Sequence, residues 1–177
     1  MRENIQATLI EASKVESRIH DLAESLNKKY AGKELIVVML LKGAMIFTAD
    51  ICRQLSMPLH IECLNVSSYH GETTSSGTVK FLDRKMPNLK GKNVLLVDDI
   101  LDTGRTLDAV SKELSKLGVA SLESCVLLSK NKSRAKEISA DYVGFEIEDE
   151  FVVGYGLDYK GLYRNLPYIG ILKDKAI

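Results

Sequence analysis

The sequence has no excess of charge of either sign, because 24 lysine and arginine residues balance 24 aspartate and glutamate residues. This balance gives no support to binding of nucleic acid or of an acidic membrane surface. No apolar run approaches the ~20 residues that a membrane-spanning helix needs. The segment from Met1 to Asn4 lacks the apolar core of a signal peptide. We therefore expect a cytoplasmic protein with neither a membrane nor a nucleic acid as its partner.

Cysteine is also scarce and follows no metal-binding or disulfide pattern. Cys52, Cys63 and Cys125 are far apart and odd in number, so we expect reduced thiols in a reducing compartment. Internal repeats, low-complexity tracts and inter-domain linkers are absent from the sequence as well. A length of 177 residues is that of one domain with a sizeable core.

The hydrophobic pattern predicts alternating helices and strands. Residues 13–30 carry apolar side chains at intervals of three and four, with Ser13 and Glu16 at capping-box spacing, which indicates a helix. Residues 35–41 are a continuous apolar run, typical of a central parallel strand. Alternation of this kind implies right-handed βαβ units and a largely parallel sheet. Further strands are predicted at about 59–66, 94–97, 122–128, 142–147 and 151–153.

Two segments between these strands have a distinct character. Residues 44–55 are expected to form a helix with Met45, Ala49 and Cys52, and Phe47 as a further candidate, facing the sheet. The polar segment 67–78 predicts a long loop, which in a compact domain often serves as a lid or binding loop. A mobile hairpin tip is the alternative for that loop.

The most informative stretch runs from Val94 to Leu107. It begins as an apolar strand, continues with the carboxylates of Asp98, Asp99 and Asp102, and leads through a Thr-Gly-Arg-Thr turn into a helical pattern that ends near Gly118. Folds of the α/β class place ligands beyond the carboxyl ends of strands, and a helix N-terminus presents free N–H groups to an anion. Neighbouring carboxylates can hold hydroxyls or Mg²⁺, so the stretch predicts a site for a phosphorylated sugar.

Two other interpretations of this stretch are weaker. A simple helix-capping turn does not explain three acids within five residues, which repel one another unless a cation or hydroxyls lie between them. A phosphoacceptor receiver domain also starts with an apolar strand ending in paired acids, but about ninety residues precede Asp98 and too few follow it. The nucleotide-binding patterns GxGxxG and GxxxxGK[ST] do not occur.

An apolar strand, two acids, two further residues and then Asp-Thr-Gly-x-Thr resemble the signature that binds phosphoribosyl pyrophosphate (PRPP) in the phosphoribosyltransferase family. The resemblance covers about residues 10–173 and is greatest to the short bacterial hypoxanthine-guanine enzymes. It implies an α/β protein with the type I phosphoribosyltransferase fold, a mainly parallel central sheet flanked by helices, and a small hood subdomain. One domain would span 1–177, with its core at about 10–150, its hood from the N-terminal segment and about 151–177, and a flexible lid at about 67–79.

The resemblance also implies a reaction in purine salvage. The 5-phosphoribosyl group of PRPP would pass to hypoxanthine, and to guanine, giving IMP or GMP and pyrophosphate. Asp98 and Asp99 would hold the ribose hydroxyls, and Asp102 would be the general base for the N7 proton of the purine. Capping of the following helix is the alternative role for Asp102. The PRPP 5′-phosphate and ribose would be bound by Asp98, Asp99, Asp102, Thr103, Gly104, Arg105 and Thr106.

Further residues are implied for the other parts of the substrates. Mg²⁺ would be the cofactor, ligated by Asp158, with Asp98 and Asp99 acting through ribose hydroxyls or water. This sequence departs from the family pattern at two places. Many family members have Glu-Asp where this chain has Asp98-Asp99, and Tyr-Gly is commoner in the lid than the Tyr69-His70-Gly71 found here. The implied sets are Lys42, Gly43 and Arg164 for pyrophosphate, Lys130, Phe151, Val152 and Asp158 for the base, and Ser68 and Tyr69 for the lid.

Several alternatives stay open. The basic cluster from Lys130 to Lys136 is by itself typical of a solvated face, and Phe151 by itself is typical of a core. A nucleic-acid-binding regulator with the same fold would need a basic face and no base pocket, and an orotate or pyrimidine enzyme fits segment 151–159 poorly. The resemblance suggests a homodimer or homotetramer. The preferred 6-oxopurine and a cis peptide at Leu41-Lys42, known in family members, are not decided by the sequence.

Overall fold

The computed structural model of the protein describes residues 2–68, 79–82 and 86–173. Within these residues a short 3-10 turn, Arg2–Asn4, precedes nine strands and three helices. The strands are β1 (Ile5–Ile10), β2 (Leu35–Leu41), β3 (Leu59–Ser68), β4 (Val79–Phe81), β5 (Asn93–Leu101), β6 (Ser121–Lys130), β7 (Tyr142–Ile147), β8 (Val152–Val153) and β9 (Ile169–Leu172). The helices are α1 (Ala12–Lys29), α2 (Met45–Cys52) and α3 (Arg105–Ser115).

The larger of two sheets has six strands in the order β4-β3-β2-β5-β6-β7. All neighbouring strands are parallel except β3 and β4, which are antiparallel. The chain builds outward from β2 to β3 and then returns to add β5 on the other side of β2. The order therefore reverses between β2 and β5, and such a switch point leaves a crevice at the carboxyl ends of the two strands. The predicted α/β class and mainly parallel sheet are confirmed.

Strand β2 is buried on both faces. Val37 and Met39 pack in one hydrophobic cluster with residues of α1 and α2, whereas Val38 and Leu40 pack in a second cluster with residues of α3. Because helices cover both faces, the strand has no solvent side. This explains why its sequence is a continuous apolar run rather than an alternating one.

Two local predictions about the helices were wrong. The N-cap of α1 is Glu11, with no side-chain capping hydrogen bond, so Ser13 and Glu16 do not form a capping box. In α2 the buried residues are Phe47, Thr48 and Ile51, whereas Met45 is 49% exposed. Ala49 is exposed and Cys52 only partly buried. The α2 sequence is apolar on nearly every side, so its pattern did not distinguish the face that meets the sheet.

The smaller sheet joins the two ends of the described chain. Its order is β1-β9-β8, and both pairs are antiparallel. The Tyr155 hydroxyl, which follows β8, hydrogen-bonds the Asp50 carboxylate on α2. This contact ties the smaller sheet to the helix that follows β2, next to the switch point. None of the helices described is long and apolar enough to cross a membrane.

Candidate active site

A cavity of about 330 Å³ opens at the switch point between β2 and β5. Its walls come from the loop after β2, the turn between β5 and α3, and the segment after β8. The structure thus brings together three stretches that are far apart in the sequence. The predicted site residues that line the cavity are Lys42, Gly43, Asp98, Asp99, Asp102, Thr103, Gly104, Arg105, Thr106, Asp158 and Arg164.

The loop after β2 is pressed against the end of β5. The peptide bond between Leu41 and Lys42 is cis. A Cβ atom at Gly43 would lie 1.6 Å from Oδ2 of Asp99, and a Cβ atom at Gly156 would lie 2.1 Å from the Gly43 carbonyl oxygen. Side chains at either glycine would therefore separate the three segments, and the site depends on both glycines for its closed walls.

Asp98 and Asp99 form an acidic pair near the end of β5, in which Asp98 is buried and Asp99 is partly buried. The Asp99 amide donates a 2.9 Å hydrogen bond to Oδ1 of Asp98. Burial, and next the charge of Asp99, raise the pKa of Asp98 well above its usual range. Burial also raises the pKa of Asp99, although the positive charge of Arg164 opposes the change. Two carboxylates held in this way are stabilised by any ligand that donates hydroxyl hydrogen bonds or carries positive charge.

The turn after β5 leads into the N-terminus of α3. Gly104 is the N-cap of α3 and adopts a φ of +77°, and a Cβ atom there would lie 2.8 Å from the Lys136 carbonyl oxygen. The Asp108 amide donates the first helical hydrogen bond, 3.0 Å to the Gly104 carbonyl. The backbone amides of the first helical turn that come before Asp108 have no hydrogen-bond partner within the helix. Such amides can donate hydrogen bonds to a phosphate.

Asp158 and Arg164 face each other across the mouth of the cavity. Their side chains are paired at 2.6 Å between Oδ1 and Nη2, and each is about 30% exposed. Oδ2 of Asp158 also accepts a 2.7 Å hydrogen bond from the Gly161 amide, and Arg164 donates from Nη1 to the Gly156 carbonyl at 2.6 Å. Both charged groups are therefore held in place at the edge of the site, where they can meet an anion and a cation.

Lys130 ends β6 beside Asp102 and is only 8% exposed. Its Nζ lies 2.9 Å from Oδ1 of Asp149 and 3.7 Å from Oδ2 of Asp102. Lys132 completes the cluster, with its Nζ 2.5 Å from Oδ1 of Asp102 and 3.0 Å from Oδ1 of Asp149. We call these four residues the Lys-Asp cluster. Asp102 also lines the cavity, so it joins the cluster to the turn between β5 and α3.

The Lys-Asp cluster corrects two interpretations of the sequence. Lys132 does not belong to a solvated basic face, since its side chain is only 26% exposed and contacts two carboxylates. The N-cap of α3 is Gly104, and the Asp102 side chain pairs with Lys132. Asp102 therefore does not cap the helix, which was the alternative role considered for it. Lys132 and Asp149 were missed as site residues. The only signal in the sequence was that Lys132 lies two residues after Lys130 and that Asp149 lies two residues before Phe151.

The remaining predicted base-binding residues lie on the segment around β8. Phe151 is 40% exposed, which does not fit a core position. Its ring meets the edge of Tyr159 at 5.5 Å between centroids and 88° between planes. Val152 has a buried side chain in β8. Neither residue lines the cavity at the switch point, so the base site stays a prediction that rests on Phe151 being available for contact.

The predicted lid is mostly outside the described residues. Strand β3 extends to Ser68, whose backbone pairs with Val79 on β4. The predicted loop therefore begins later than residue 67. Tyr69 and the His70-Gly71 departure lie outside the part of the chain that the structure describes.

Within the described chain there is no group of three or more histidine, cysteine, aspartate or glutamate side chains that could hold a metal ion. A metal at this site would need oxygen atoms from a bound ligand or water in addition to Asp158.

Comparison with known proteins gives a consistent result. The model of the phosphoribosyl transferase domain family matches residues 6–160. The chain is 43% identical over 176 residues to the hypoxanthine-guanine phosphoribosyltransferase of Staphylococcus aureus and 41% identical to that of Streptococcus pneumoniae, covering 99% of this chain and 98% of each relative. A solved hypoxanthine phosphoribosyltransferase from Staphylococcus aureus superposes with a TM-score of 0.94 at 42% identity, covering 99% of this chain and 96% of that one. With the PRPP signature at a switch-point cavity and these similarities along its whole length, the chain belongs to the phosphoribosyltransferase family.

Proposed function

We propose that the protein transfers the 5-phosphoribosyl group from PRPP to hypoxanthine or guanine, giving IMP or GMP and pyrophosphate. Relatives that carry the name hypoxanthine-guanine phosphoribosyltransferase are 41–43% identical over almost the whole chain. A phosphoribosyltransferase of this type acts in purine salvage. The substrates are PRPP and a 6-oxopurine base.

The spacing of Lys130 and Asp102 carries this proposal. Nζ of Lys130 and Oδ2 of Asp102 are 3.7 Å apart, too far for a hydrogen bond to each other. A 6-oxopurine presents O6 and N7 side by side on one edge. The lysine can donate to O6 while the carboxylate accepts from an N7–H group. Adenine has an amino group in place of O6, and two donors would then face each other.

The chemistry follows from this placement. The purine N9 lone pair forms a bond to C1′ as the bond from C1′ to the pyrophosphate oxygen breaks, and Asp102 accepts the proton that leaves N7. The sugar becomes oxocarbenium-like on the way. Asp98 and Asp99 hold the ribose hydroxyls and place negative charge near the developing cation. Burial raises the pKa of both carboxyl groups, and binding of hydroxyl donors relieves the strain of holding them charged in the cavity.

The anionic parts of PRPP are assigned to opposite sides of the cavity. The 5′-phosphate is bound by the turn from Asp102 to Thr106 at the start of α3. Lys42, Gly43 and Arg164 hold the pyrophosphate, for which a guanidinium offers paired donors. Arg164 must then release or share Asp158, to which it is paired at 2.6 Å.

Mg²⁺ fits the residues present. This ion favours one or two carboxylates together with waters and substrate phosphates over an all-protein cage. Asp158 provides such a carboxylate at the cavity mouth, and Asp98 and Asp99 are near enough to act through ribose hydroxyls or water. Bound Mg²⁺ neutralises charge on the pyrophosphate that leaves.

Other features of the proposal rest on family membership. We infer a cytoplasmic enzyme that acts as a homodimer or homotetramer and contacts neither nucleic acid nor membrane. The hood is assigned to the N-terminal segment with about 151–177, where β1, β9 and β8 form one sheet. Ser68 and Tyr69 are assigned to a lid at about 67–79 that excludes water from the reacting sugar.

A substrate panel tests the proposal. The protein is incubated with Mg²⁺-PRPP and hypoxanthine, guanine, xanthine or adenine, and nucleotide formation is measured. Hypoxanthine and guanine should react, and adenine should not. The Asp102→Asn variant should lose about 100-fold or more in kcat with less than about a threefold change in the KM for PRPP. Folded protein that binds Mg²⁺-PRPP but uses none of the four bases would overturn the proposal.

A further inference from the structure

Lys132 has no role in the reaction as described so far, yet it makes the shortest contact in the Lys-Asp cluster. Its Nζ lies 2.5 Å from Oδ1 of Asp102, whereas Lys130 is 3.7 Å from Oδ2 of the same carboxylate. One oxygen of Asp102 is thus ion-paired with Lys132, although the contact lacks hydrogen-bond geometry and this oxygen accepts no hydrogen bond from the described residues. The other stays beside Lys130, on the side where the purine edge would lie.

The backbone around Lys132 holds this arrangement in place. Asn131 donates to the Ile147 carbonyl at 2.7 Å, and Lys132 donates to the Lys130 carbonyl at 3.1 Å. The Arg134 guanidinium donates to the Lys130 carbonyl at 3.0 Å and to the Ser129 hydroxyl at 2.8 Å. Four hydrogen bonds therefore fix the turn after β6, from which Lys130 and Lys132 both extend toward Asp102.

Asp149 balances the charge of the cluster from the opposite side. Its Oδ1 accepts from Nζ of Lys130 at 2.9 Å and from Nζ of Lys132 at 3.0 Å. Two ammonium groups and two carboxylates make the cluster neutral overall. The two lysines would repel each other without Asp149, so the aspartate keeps both ammonium groups close to Asp102.

We propose that Lys132 is a positioning residue for Asp102, which it holds by Oδ1 so that Oδ2 remains directed at the N7–H group of the purine. This inference rests on the proposed function. A carboxylate on a short side chain can rotate about its Cβ–Cγ bond, and that rotation is broad in energy. A positive charge next to one oxygen favours one orientation of the carboxylate and leaves the second oxygen beside Lys130.

The protonation of Lys132 supports this role. Its contact with the Asp102 carboxylate, acting against partial burial and helped by Asp149, raises the pKa of the Lys132 ammonium. Lys132 is therefore charged throughout the neutral pH range in which the enzyme would work. An ammonium that stays charged cannot compete with Asp102 for the N7 proton, because it has no free lone pair.

Substitution of Lys132 by Met keeps the length of the side chain and removes the charge. We expect Lys132→Met to lower kcat with hypoxanthine about 10- to 100-fold, with less than about a threefold change in the KM for PRPP. Lys132→Arg keeps a charged donor and should recover kcat to within about fivefold of the wild type. A role in folding alone would lower the fraction of protein that binds PRPP, and kcat calculated for that PRPP-binding fraction would stay at the wild-type value.

A double-substitution cycle tests whether Lys132 acts through Asp102. In an Asp102→Asn background, Lys132→Met should add less than about a threefold loss, because the group it positions is already gone. Lys92→Met is the matched control, since Lys92 also pairs with a carboxylate, Glu34 at 2.8 Å, away from the cavity. That control should keep wild-type kcat.

Three outcomes would overturn the inference. They are wild-type or higher kcat in Lys132→Met, failure of Lys132→Arg to restore activity, and full additivity with Asp102→Asn. If Lys132→Met does not fold, Lys132→Gln and Lys132→Arg decide the question with the same assay. Failure of the proposed function is distinguishable, because the wild-type protein itself would then make no nucleotide from a 6-oxopurine.

Discussion

Gly43 and Asp99 are in direct contact across the switch point of the sheet. A Cβ atom at position 43 would lie 1.6 Å from Oδ2 of Asp99, and 2.4 Å from its Cγ. Gly43 lies in the loop after β2 and Asp99 lies in β5, so more than fifty residues separate them in the chain. This contact brings the loop that would hold pyrophosphate next to the carboxylates that would hold ribose.

Substitution of Gly43 by Ala should therefore damage PRPP binding. The new methyl group would push either the loop or the Asp99 carboxylate out of place, because the distance leaves no room for it. We expect the KM for PRPP to rise at least about tenfold. Gly32→Ala is the control, since Gly32 has an αL backbone but no atom within 4 Å of a new Cβ atom. It should cost about 1 kcal/mol of stability and leave the KM unchanged. Equal KM values for both variants would contradict the role of the Gly43–Asp99 contact.

Removal of the Asp158 carboxylate should change the metal requirement. Asp158→Asn keeps the size of the side chain but has no charge for Mg²⁺. We expect the Mg²⁺ concentration at half-maximal rate to rise about tenfold or more. EDTA should abolish activity of the wild-type protein, and added Mg²⁺ should restore it. An Asp158→Asn enzyme with an unchanged Mg²⁺ titration would show that Asp158 serves only to hold Arg164.

Lys130 should decide the choice of base. Its side chain is 11% exposed, so a hydrogen bond from its charged Nζ to O6 is made in a largely dry setting. Lys130→Met should lower kcat/KM for hypoxanthine about 100-fold, while PRPP binding measured without base stays within about threefold. Lys92→Met again serves as the control. Retention of hypoxanthine activity by Lys130→Met would place base recognition elsewhere.

The charged side chain of Asp98 should lower the free energy of unfolding of the metal-free protein at neutral pH. Burial raises its folded-state pKa above that of the unfolded chain. The folded protein therefore binds the Asp98 proton more tightly than the unfolded chain does. This proton binding stabilises the folded state fully at pH values below the pKa that Asp98 has in the unfolded chain. The stabilisation is lost as the pH rises through the pKa that Asp98 has in the folded protein. Asp98→Asn should raise the free energy of unfolding at pH 7 by about 1 kcal/mol, as is common for groups retained for function. The gain should shrink toward pH 3.

Denaturant unfolding in EDTA, at pH 7 and pH 3, measures this difference. The same variant should lose at least about tenfold in kcat/KM for PRPP. Asp21→Asn, on an exposed position of α1, is the control and should be neutral in both assays. A stability that is lower in Asp98→Asn than in the wild type at pH 7 would contradict the strain assigned to the acidic pair.

Much of the fold was predictable because its signals are local. The run 35–41 matches β2 residue for residue, and the helix expected over 13–30 appears as Ala12–Lys29. Strand burial and helical periodicity are properties of neighbouring residues, so they are visible in the chain. By contrast, the strand Ile5–Ile10 was not predicted, because its stability comes from pairing with Ile169–Leu172 at the far end of the sequence.

The sequence by itself determined the order of the elements in the half of the site that we assign to the sugar phosphate. Strand, carboxylates, turn and helix are consecutive from Val94 to Leu107, and their backbone geometry follows from their order. Only the tertiary structure decided which groups meet that half. The contact of Gly43 with Asp99 and the ion pair of Lys132 with Asp102 join segments whose spacing along the chain carries no signal. In a sequence, a charged residue of a site cannot be distinguished from one on the surface, because only folding sets its partners and its exposure.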